Sequence, residues 1–319
     1  MGTFRHTIMP FCKVLFLFEP ANSFYPDRES EGSMERSTAG WGSGLLGVII
    51  FSGSLPATRV AVSDMSPLFV TSARAVVAAL LGAFFLAVLR QSRPAREDVP
   101  SLAIVATGVV AGFPLLTGLA LQHITAAHSV VFVGMLPLST AIFGVLRGGE
   151  RPKPAFWLFS TMGGAAIAGF ALRSGGGGSG TGDLLMVAAI VLCGLGYAEG
   201  ARLARRLGGW QVISWALLIA LPIMALVAVA ARPASWSGIG FSAWLGFGYV
   251  AVFSMMLGFV FWYRGLALGG IAGVGQLQLL QPFLGLVLAG AVLGETVGWP
   301  MIASAAFVIL CVVGAKRFA

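Results

Sequence analysis

The sequence predicts an all-α integral membrane protein whose ten transmembrane helices form two inverted repeats of five. Composition is the first of three observations. Hydrophobic residues make up 57% of the 319 residues and charged residues only 10%, whereas soluble domains average about 25% charged residues. The second is a set of ten apolar segments, each close to the roughly 20 residues that a membrane-spanning helix needs. The third is an internal repeat, in which Pro137 and Glu150 recur as Pro282 and Glu295.

The internal repeat has a constant period. Both the proline and the glutamate recur after 145 residues, and each glutamate follows a glycine, Gly149 or Gly294. The tetrapeptide Gly-Leu-Ala-Leu also occurs twice, at residues 118–121 and 265–268. Because repeats in membrane proteins commonly build a transport pathway between the two halves, we expect a duplicated unit of about 140 residues that forms such a pathway.

The apolar segments divide evenly around a glycine-rich run at residues 174–182. That run is typical of a flexible linker, and it lacks the Gly-Lys-Ser/Thr ending of a phosphate-binding loop. The predicted organisation is a disordered N-terminal tail (1–40), a first repeat (41–173), the linker (174–182) and a second repeat (183–317). The predicted spans 1 to 10 are 42–62, 67–89, 99–121, 125–146, 155–173, 183–204, 210–230, 241–263, 271–293 and 298–315.

Lysine and arginine residues predict the orientation. With the N-terminus in the cytoplasm, sixteen of the twenty basic residues fall on the cytoplasmic side, and only Arg59, Arg173 and Arg232 fall outside. Cytoplasmic loops carry such an excess of basic residues, so we expect both termini in the cytoplasm. Five spans per repeat is an odd number, so the second repeat enters the membrane inverted. The asymmetry also accounts for the net charge of +8 without nucleic acid as a partner.

The sequence favours transport over catalysis. The three cysteines are scattered, and no Cys/His cluster has metal-ligand spacing, so we expect neither a metal nor a cofactor. An intramembrane serine hydrolase would need a histidine beside a serine such as Ser43 or Ser52, but His123 and His128 lie at other predicted depths. A channel for small solutes is a further alternative. It would conduct without the saturation and counterflow that a carrier shows.

Several short motifs occur in order along the chain: Phe51-Ser52-Gly53-Ser54-Leu55, Arg59, Ser72-Ala73-Arg74, Pro137-Leu138, Gly149-Glu150, Pro282-Phe283 and Gly294-Glu295. Together they resemble the drug/metabolite transporter superfamily, in its ten-helix branch built from two EamA domains. Family members more often have Trp-Gly where this chain has Phe51-Ser52, and Lys where it has Arg59. The resemblance implies export of small metabolites, typically amino acids or their derivatives and including metallophores, across a bacterial inner membrane. It also implies that spans 1, 3 and 4 face spans 6, 8 and 9, with spans 5 and 10 peripheral.

Pro137 and Pro282 are predicted to kink spans 4 and 9. Proline removes a backbone donor, and in hydrocarbon the freed carbonyl needs protein or a wet cavity around it. The matched positions favour kinks that face a central cavity, with simple packing against a neighbouring helix as the alternative.

Amides in span 9 are predicted to line the pathway. Gln278 and Gln281 share a helix face, whereas Gln276 points elsewhere. An amide both donates and accepts hydrogen bonds, which suits a zwitterionic or polyhydroxylated substrate. The alternative is hydrogen bonding between helices, worth about 0.6 kcal/mol per contact in membranes.

Further polar side chains are candidates for the pathway. In span 4, His128, Met135 and Ser139 fall on one face, although His128 also suits the membrane interface. Ser54 and Thr58 share a face of span 1. Tyr197 in span 6 could stack on a ligand or hydrogen-bond to it.

Other aromatic residues and glycines have simpler interpretations. We expect Trp262 and Tyr263 in the aromatic belt at the membrane interface. Glycine pairs spaced by four, such as Gly196 with Gly200 and Gly269 with Gly273, predict close packing of helices.

Two charged residues fall within predicted spans. Arg74 must be paired or line water; it either has a structural partner or holds a substrate carboxylate through its planar fork. Glu199 either pairs with Arg202 three residues on or couples transport to protons. Glu150 and Glu295 precede spans 5 and 10, where carboxylates favour a helix N-terminus, and we expect them to be structural.

Overall fold

A computed structural model describes residues 31–120, 123–124, 132–173, 179–293 and 299–319. Regular structure in these ranges is helical throughout. The α-helices are α1 (Glu31–Ser52), α2 (Ser54–Ala61), α3 (Pro67–Val88), α4 (Val99–Val105), α5 (Phe113–Ala120), α6 (Leu136–Gly148), α7 (Pro154–Arg173), α8 (Gly180–Leu207), α9 (Gly209–Ala230), α10 (Phe241–Gly248), α11 (Gly258–Gly269), α12 (Ile271–Gly275), α13 (Gln281–Leu293) and α14 (Trp299–Phe318). Short 3₁₀ segments cover Arg96–Asp98 and Gln276–Leu280.

The described helices agree with the predicted class of helical membrane protein. Six continuous helical stretches within the described ranges are long and apolar enough to cross a membrane, and Leu136–Gly148 is a shorter apolar helix. The stretches are Ser37–Thr58, Pro67–Val88, Arg96–Ala120, Gly180–Leu207, Gly209–Ala230 and Phe241–Gly269. The number of ten spans and the inverted arrangement stay predictions.

Helix α1 begins at Glu31, earlier than the predicted start of span 1, so residues 31–40 of the predicted tail are helical. The rest of the tail and most of the glycine-rich linker lie outside the described residues. His128, Gly294 and Glu295 lie outside them too.

Two spans contain π-helical segments at related positions. Ala106–Gly112 joins α4 to α5, and Tyr249–Leu257 joins α10 to α11. The two segments end 145 residues apart, which is also the period of the repeated proline and glutamate. A π-helical turn widens the backbone and is frequent at functional sites, so the middle of each of these spans is a candidate for pathway structure.

In spans 4 and 9 the regular α-helical hydrogen-bond pattern is interrupted just before the two prolines, and their role as kinks that face a central cavity stays a prediction. Helices α6 and α13 begin 145 residues apart, and Pro137 and Pro282 are the second residue of each. Proline fits there because the first turn of a helix needs no backbone donor. A turn at Gly134 and Met135 precedes α6, and the 3₁₀ segment Gln276–Leu280 precedes α13.

The backbone at the break in span 9 is satisfied locally. The N–H group of Gln281 donates to the carbonyl of Gln278, the carbonyl that a kinked α-helix would have left without its partner. The 3₁₀ pattern thus replaces the hydrogen bond that Pro282 cannot make.

Glycines allow a close helix crossing between α1 and α11. A Cβ atom added at Gly265 would lie 2.6 Å from the backbone N and Cα of Gly44 and 3.0 Å from the carbonyl oxygen of Gly40. A Cβ at Gly40 would in turn collide with the backbone of Gly269. Two Gly-xxx-Gly pairs therefore face each other, an arrangement that brings helix backbones together in membranes.

Candidate functional site

An aromatic cluster lies in the interior, where α1, α8 and α11 meet. The ring centroids of Tyr197 and Trp262 are 5.5 Å apart, and those of Phe51 and Phe259 are 4.9 Å apart. Tyr197 also lies 6.2 Å from Phe259. All four side chains are buried. The cluster offers aromatic faces that attract cations, together with the hydroxyl and indole groups as polar handles.

Gln278 joins this cluster and has an unused acceptor. The Tyr197 side chain interacts with those of Gln278 and Cys193. Gln278 is 4% exposed, and its Oε1 has no hydrogen-bond partner among the described residues. The same holds for the indole nitrogen of the buried Trp262. Because a buried polar atom without a partner is costly, a free acceptor and a free donor beside aromatic rings favour a site for a polar ligand.

Gln281 follows Gln278 by three residues and is half-buried at the start of α13. Residues three apart in a 3₁₀ helix eclipse each other, so these two amides share a direction. Gln276, for which the sequence predicted no role in the pathway, is fully buried, and neither of its amide atoms has a partner among the described residues.

Ser54 and Thr58 lie in the short helix α2. The Ser54 hydroxyl donates to the Ser254 hydroxyl at 2.7 Å, which ties α2 to the π-helical segment of span 8. Thr58 is half-buried. Nearby, the Tyr249 hydroxyl donates to the Ile50 carbonyl at 2.9 Å, so this π-helical segment is anchored to the first span by polar contacts.

Arg74 has no carboxylate partner among the described residues, because none of their ion pairs includes it. It lies in α3, is half-buried, and its Nε is buried without a hydrogen-bond partner in the described part of the chain. Of the two interpretations that the sequence left open, these observations favour a role in holding an anion, and that role stays a prediction.

The described residues of span 4 differ in their surroundings, and their role in the pathway stays a prediction. Met135 is 47% exposed at the turn before α6. Pro137 is buried, whereas the Ser139 hydroxyl donates to the Ile190 carbonyl at 3.2 Å and thereby joins α6 to α8. Gly275, at the end of α12, faces Thr140, since a Cβ there would lie 3.4 Å from its methyl group. Spans 4 and 9 therefore cross at Thr140 and Gly275, close to the interruptions of their α-helical pattern.

Glu199 is the centre of a group of charges at the arginine-rich end of the bundle. Its side chain is fully buried and forms ion pairs with Arg147 of α6 and, at 2.8 Å, with Arg202. Arg202 also donates to the Ser101 hydroxyl at 2.8 Å. The sequence predicted the pair with Arg202, but the pair with Arg147 could not be foreseen. Two guanidinium groups supply the positive charge that a buried carboxylate needs. Proton coupling through Glu199 stays a prediction.

Glu150 caps a helix, although not the one that follows it. Its two carboxylate oxygens accept the backbone N–H groups of Ile271 and Ala272, both at 2.6 Å, so it caps α12 rather than α7. Arg205 pairs with it at 3.1 Å. Gly149 makes this possible: it ends α6 with a φ of 70°, a left-handed conformation that glycine adopts without strain. The Gly-Glu motif thus turns the chain toward span 9.

Two ion pairs of Arg206 complete this group of charges. Arg206 of α8 pairs with the buried Asp98 and, at 3.5 Å, with the exposed Glu97. No sequence pattern indicated these pairs, because more than a hundred residues separate their members. We refer to Asp98, Arg147, Glu150, Glu199, Arg202, Arg205 and Arg206 together as the ion-pair cluster.

The prediction that Trp262 and Tyr263 belong to an interfacial belt is wrong, because both side chains are fully buried. The Tyr263 hydroxyl donates to the Gly196 carbonyl at 3.3 Å, and the ring fills the space over Gly200. The pair Gly196 and Gly200 does permit close packing, as predicted: Gly200 faces the ring of Tyr263, whereas a Cβ at Gly196 would lie 3.5 Å from the backbone N of Val109 and 3.6 Å from the Cα of Gly108.

Known proteins resemble this chain over most of its length. The model of the EamA-like transporter family matches residues 38–172 and again residues 180–315. The uncharacterized transporter YdeK of Bacillus subtilis (strain 168) is 61% identical over 286 residues, which cover 90% of this chain and 100% of that protein. A probable terminal-alkyne amino-acid exporter of Streptantibioticus cattleyicolor is 24% identical over 269 residues, 82% of this chain and 88% of that protein.

A solved structure, described only as a crystal structure of a protein, supports the fold. It superposes with a TM-score of 0.76 at 21% sequence identity and covers 89% of this chain and 100% of its own. A sequence identity of 21% supports a shared fold only. The family match spans well over half of the sequence and agrees with the resemblance drawn from its motifs. This chain belongs to the EamA-like transporter family.

Proposed function

We propose that this protein is a secondary transporter that exports an amino acid or an amino-acid derivative across the bacterial inner membrane by alternating access. The proposal rests on the interior site formed by Gln278, Tyr197 and Trp262, which combines aromatic faces with an unpartnered acceptor and an unpartnered donor. An ammonium group suits the amide oxygen and the aromatic faces. A carboxylate suits the indole N–H. The distant relative named as an amino-acid exporter supports the same substrate class.

The interruptions of the α-helical pattern in spans 4 and 9 support placing the substrate near the middle of the membrane. In many transporters, discontinuous helices meet near the bilayer midplane, and the N-termini of their half-helices face anionic groups of the substrate. Helices α6 and α13 both begin at the breaks in spans 4 and 9. Arg74, which lacks a carboxylate partner in the described structure, is the further cation that we assign to substrate recognition.

Exchange of radiolabelled amino acids in proteoliposomes tests the function, with L-leucine, L-methionine, L-phenylalanine and a terminal-alkyne amino acid as probes. We expect saturable exchange of at least one probe. Gln278→Leu is expected to reduce exchange at least about tenfold, the equivalent of losing one hydrogen bond of about 1.4 kcal/mol. Thermal stability should change little, because the variant loses the Tyr197 interaction but also removes a buried Oε1 that has no partner in the described structure.

The matched controls separate binding from packing. Gln91→Leu changes a half-buried amide near the arginine-rich end that donates to the Leu89 carbonyl and accepts from Gln211 at 3.4 Å. Gln91 has no hydrogen bond to the proposed site, so exchange per folded protein should remain within about twofold of the parent. Gln281→Leu should lower exchange as Gln278→Leu does. Equal losses of folded protein and of exchange in the Gln278 variant would instead assign that residue to packing. Flux that rises with concentration without saturation would indicate a channel.

The orientation gives a separate prediction. Single cysteines at Ser237, in the exposed loop before α10, and at Arg93, in the exposed loop before α4, should differ in labelling by an impermeant maleimide. The excess of basic residues puts position 93 inside the cell and position 237 outside. In intact cells, a chain without its native cysteines should therefore be labelled at 237 and protected at 93. The reverse pattern would overturn the proposed topology.

A further inference from the structure

We propose that the ion-pair cluster is the latch that closes the cytoplasmic end of the transport pathway, and that it opens and re-forms in each transport cycle. This inference rests on the proposed function and adds the element that controls access to its site. It is carried by the contacts of seven charged residues, all at the arginine-rich end of the bundle.

The ion-pair cluster joins helix α8 to the first half of the chain. Helix α8 contributes Glu199, Arg202, Arg205 and Arg206, and each of them bonds to a residue of the first half of the chain. The partners are Arg147 on α6, Glu150 just after α6, Ser101 on α4 and Asp98 just before α4. Breaking these contacts would free the end of α8 from α4 and α6.

The exposure of the charges suits a contact that opens repeatedly. Glu199 has a side-chain exposure of 0%, whereas Arg147 and Arg202 are 44% and 45% exposed. A buried carboxylate holds its partners firmly because separation would leave it unpaired. The arginines already touch water, so their hydration when the latch opens costs less than for buried ions. The ion pairs of the cluster are therefore stable while the latch is closed, and their arginines are already in contact with water on the cytoplasmic side.

Glu150 connects the latch to the substrate site. Its carboxylate holds the first backbone N–H groups of α12 while Arg205 binds the same carboxylate. Helix α12 runs into the 3₁₀ segment Gln276–Leu280, which carries Gln278. Movement of α8 away from Glu150 would thus release the start of the segment that contacts the substrate. Glu150 in the latch and Gln278 in the proposed site are thus linked through the five-residue helix α12 and the start of the 3₁₀ segment.

The opposite end of the membrane has no equivalent of the Glu199–Arg147 pair at the repeat position in span 9. The residue 145 positions after Arg147 is Val292, which cannot form an ion pair. The Glu199–Arg147 pair therefore has no counterpart at the repeat position, and loss of this pair should bias the protein toward opening inward rather than toward opening at both ends.

Accessibility of Cys193 tests the latch without any substrate. Cys193 is 1% exposed, and it interacts with Tyr197. With Cys12 and Cys311 replaced by serine, an impermeant methanethiosulfonate is applied to inside-out vesicles and, separately, to right-side-out vesicles. Glu199→Gln and Arg147→Gln should raise labelling from the cytoplasmic side about tenfold and lower it from the outside, because they shift the population toward inward-open forms.

The control variants distinguish a latch from general stabilisation. Arg93→Gln removes an exposed arginine near the same end, outside the cluster, and should leave both labelling rates within about twofold of the parent. Arg147→Lys keeps the charge and should stay near the parent. The proposal is overturned if labelling does not change, or if it rises equally from both sides, since equal access indicates a loosened fold. Neither outcome would bear on whether amino acids are exchanged.

Discussion

Gly265→Leu is expected to prevent accumulation of the folded protein. A Cβ atom at this position would lie 2.6 Å from the Gly44 backbone and 3.0 Å from the Gly40 carbonyl. Because these contacts are with backbone, no rotamer change relieves them, and α1 and α11 must separate. Overpacking of a well-packed interior lowers the free energy of unfolding by about 1–3 kcal/mol and occasionally more. Because this variant disrupts a whole helix crossing, we expect a loss of about 3 kcal/mol or more.

Gly42→Leu is the matched control. Gly42 lies on α1 between Gly40 and Gly44, yet it is exposed and a Cβ there would meet nothing within 4 Å. Leucine is the better helix former by roughly 0.8 kcal/mol, so this variant should be as stable as the parent or slightly more so. Fluorescence-detected size-exclusion chromatography with thermal challenge compares the two. Similar melting profiles for Gly265→Leu and the parent would show that the helices do not cross this closely.

The same glycines show where sequence reasoning reached its limit. Spacing alone predicted close packing at Gly269 and Gly273, and Gly269 does meet the α1 backbone. Its counterpart in the pair is Gly265, however, and the facing residues are Gly40 and Gly44. A small-xxx-small pattern predicts that one helix surface allows close packing, but it does not predict which helix packs against that surface. That choice depends on contacts more than two hundred residues apart in sequence.

The local structure of the breaks was only partly predictable. The repeated prolines indicated an interruption in each of spans 4 and 9, because proline disrupts a helix wherever it stands in the interior. Whether the helix bends or ends depends on the residues around the proline. Here a 3₁₀ segment satisfies the backbone before Pro282. The π-helical segments of spans 3 and 8 had no signal at all, since the apolar residues of Tyr249–Leu257 are equally compatible with an α-helix.

Charges were predicted less completely than apolar segments. The Glu199–Arg202 pair follows from helical spacing of three residues. Arg147, Arg205 and Arg206 contributed to the prediction of orientation only as members of basic loops, and the structure gives each a carboxylate partner. Periodicity reports the environment of a helix face, whereas ion pairs between helices depend on tertiary geometry. The proposed substrate site has the same limit, because Gln278 and Trp262 meet Tyr197 only after the helices have packed.

Glu199→Ala is expected to destabilise the folded protein by about 3 kcal/mol, the lower end of the range for breaking a buried ion pair. The side chain of Glu199 is fully buried, and its removal leaves Arg147 and Arg202 without the carboxylate between them. The lower end applies because these arginines are 44% and 45% exposed, so water compensates part of the loss. Glu97→Ala is the control: Glu97 is 74% exposed and lies 3.5 Å from Arg206, and its loss should cost no more than about 1 kcal/mol.

Thermal unfolding of the two variants in the same detergent compares the buried pair with the exposed one. A large drop in the melting temperature for Glu199→Ala and a small one for Glu97→Ala would identify Glu199 as the anchor of the ion-pair cluster. If Glu199→Ala were as stable as the parent, the two arginines would have to be fully hydrated without their partner. The carboxylate would then be free to serve another purpose, and the hypothesis that Glu199 takes up and releases protons would become the stronger account of why an acid lies within span 6.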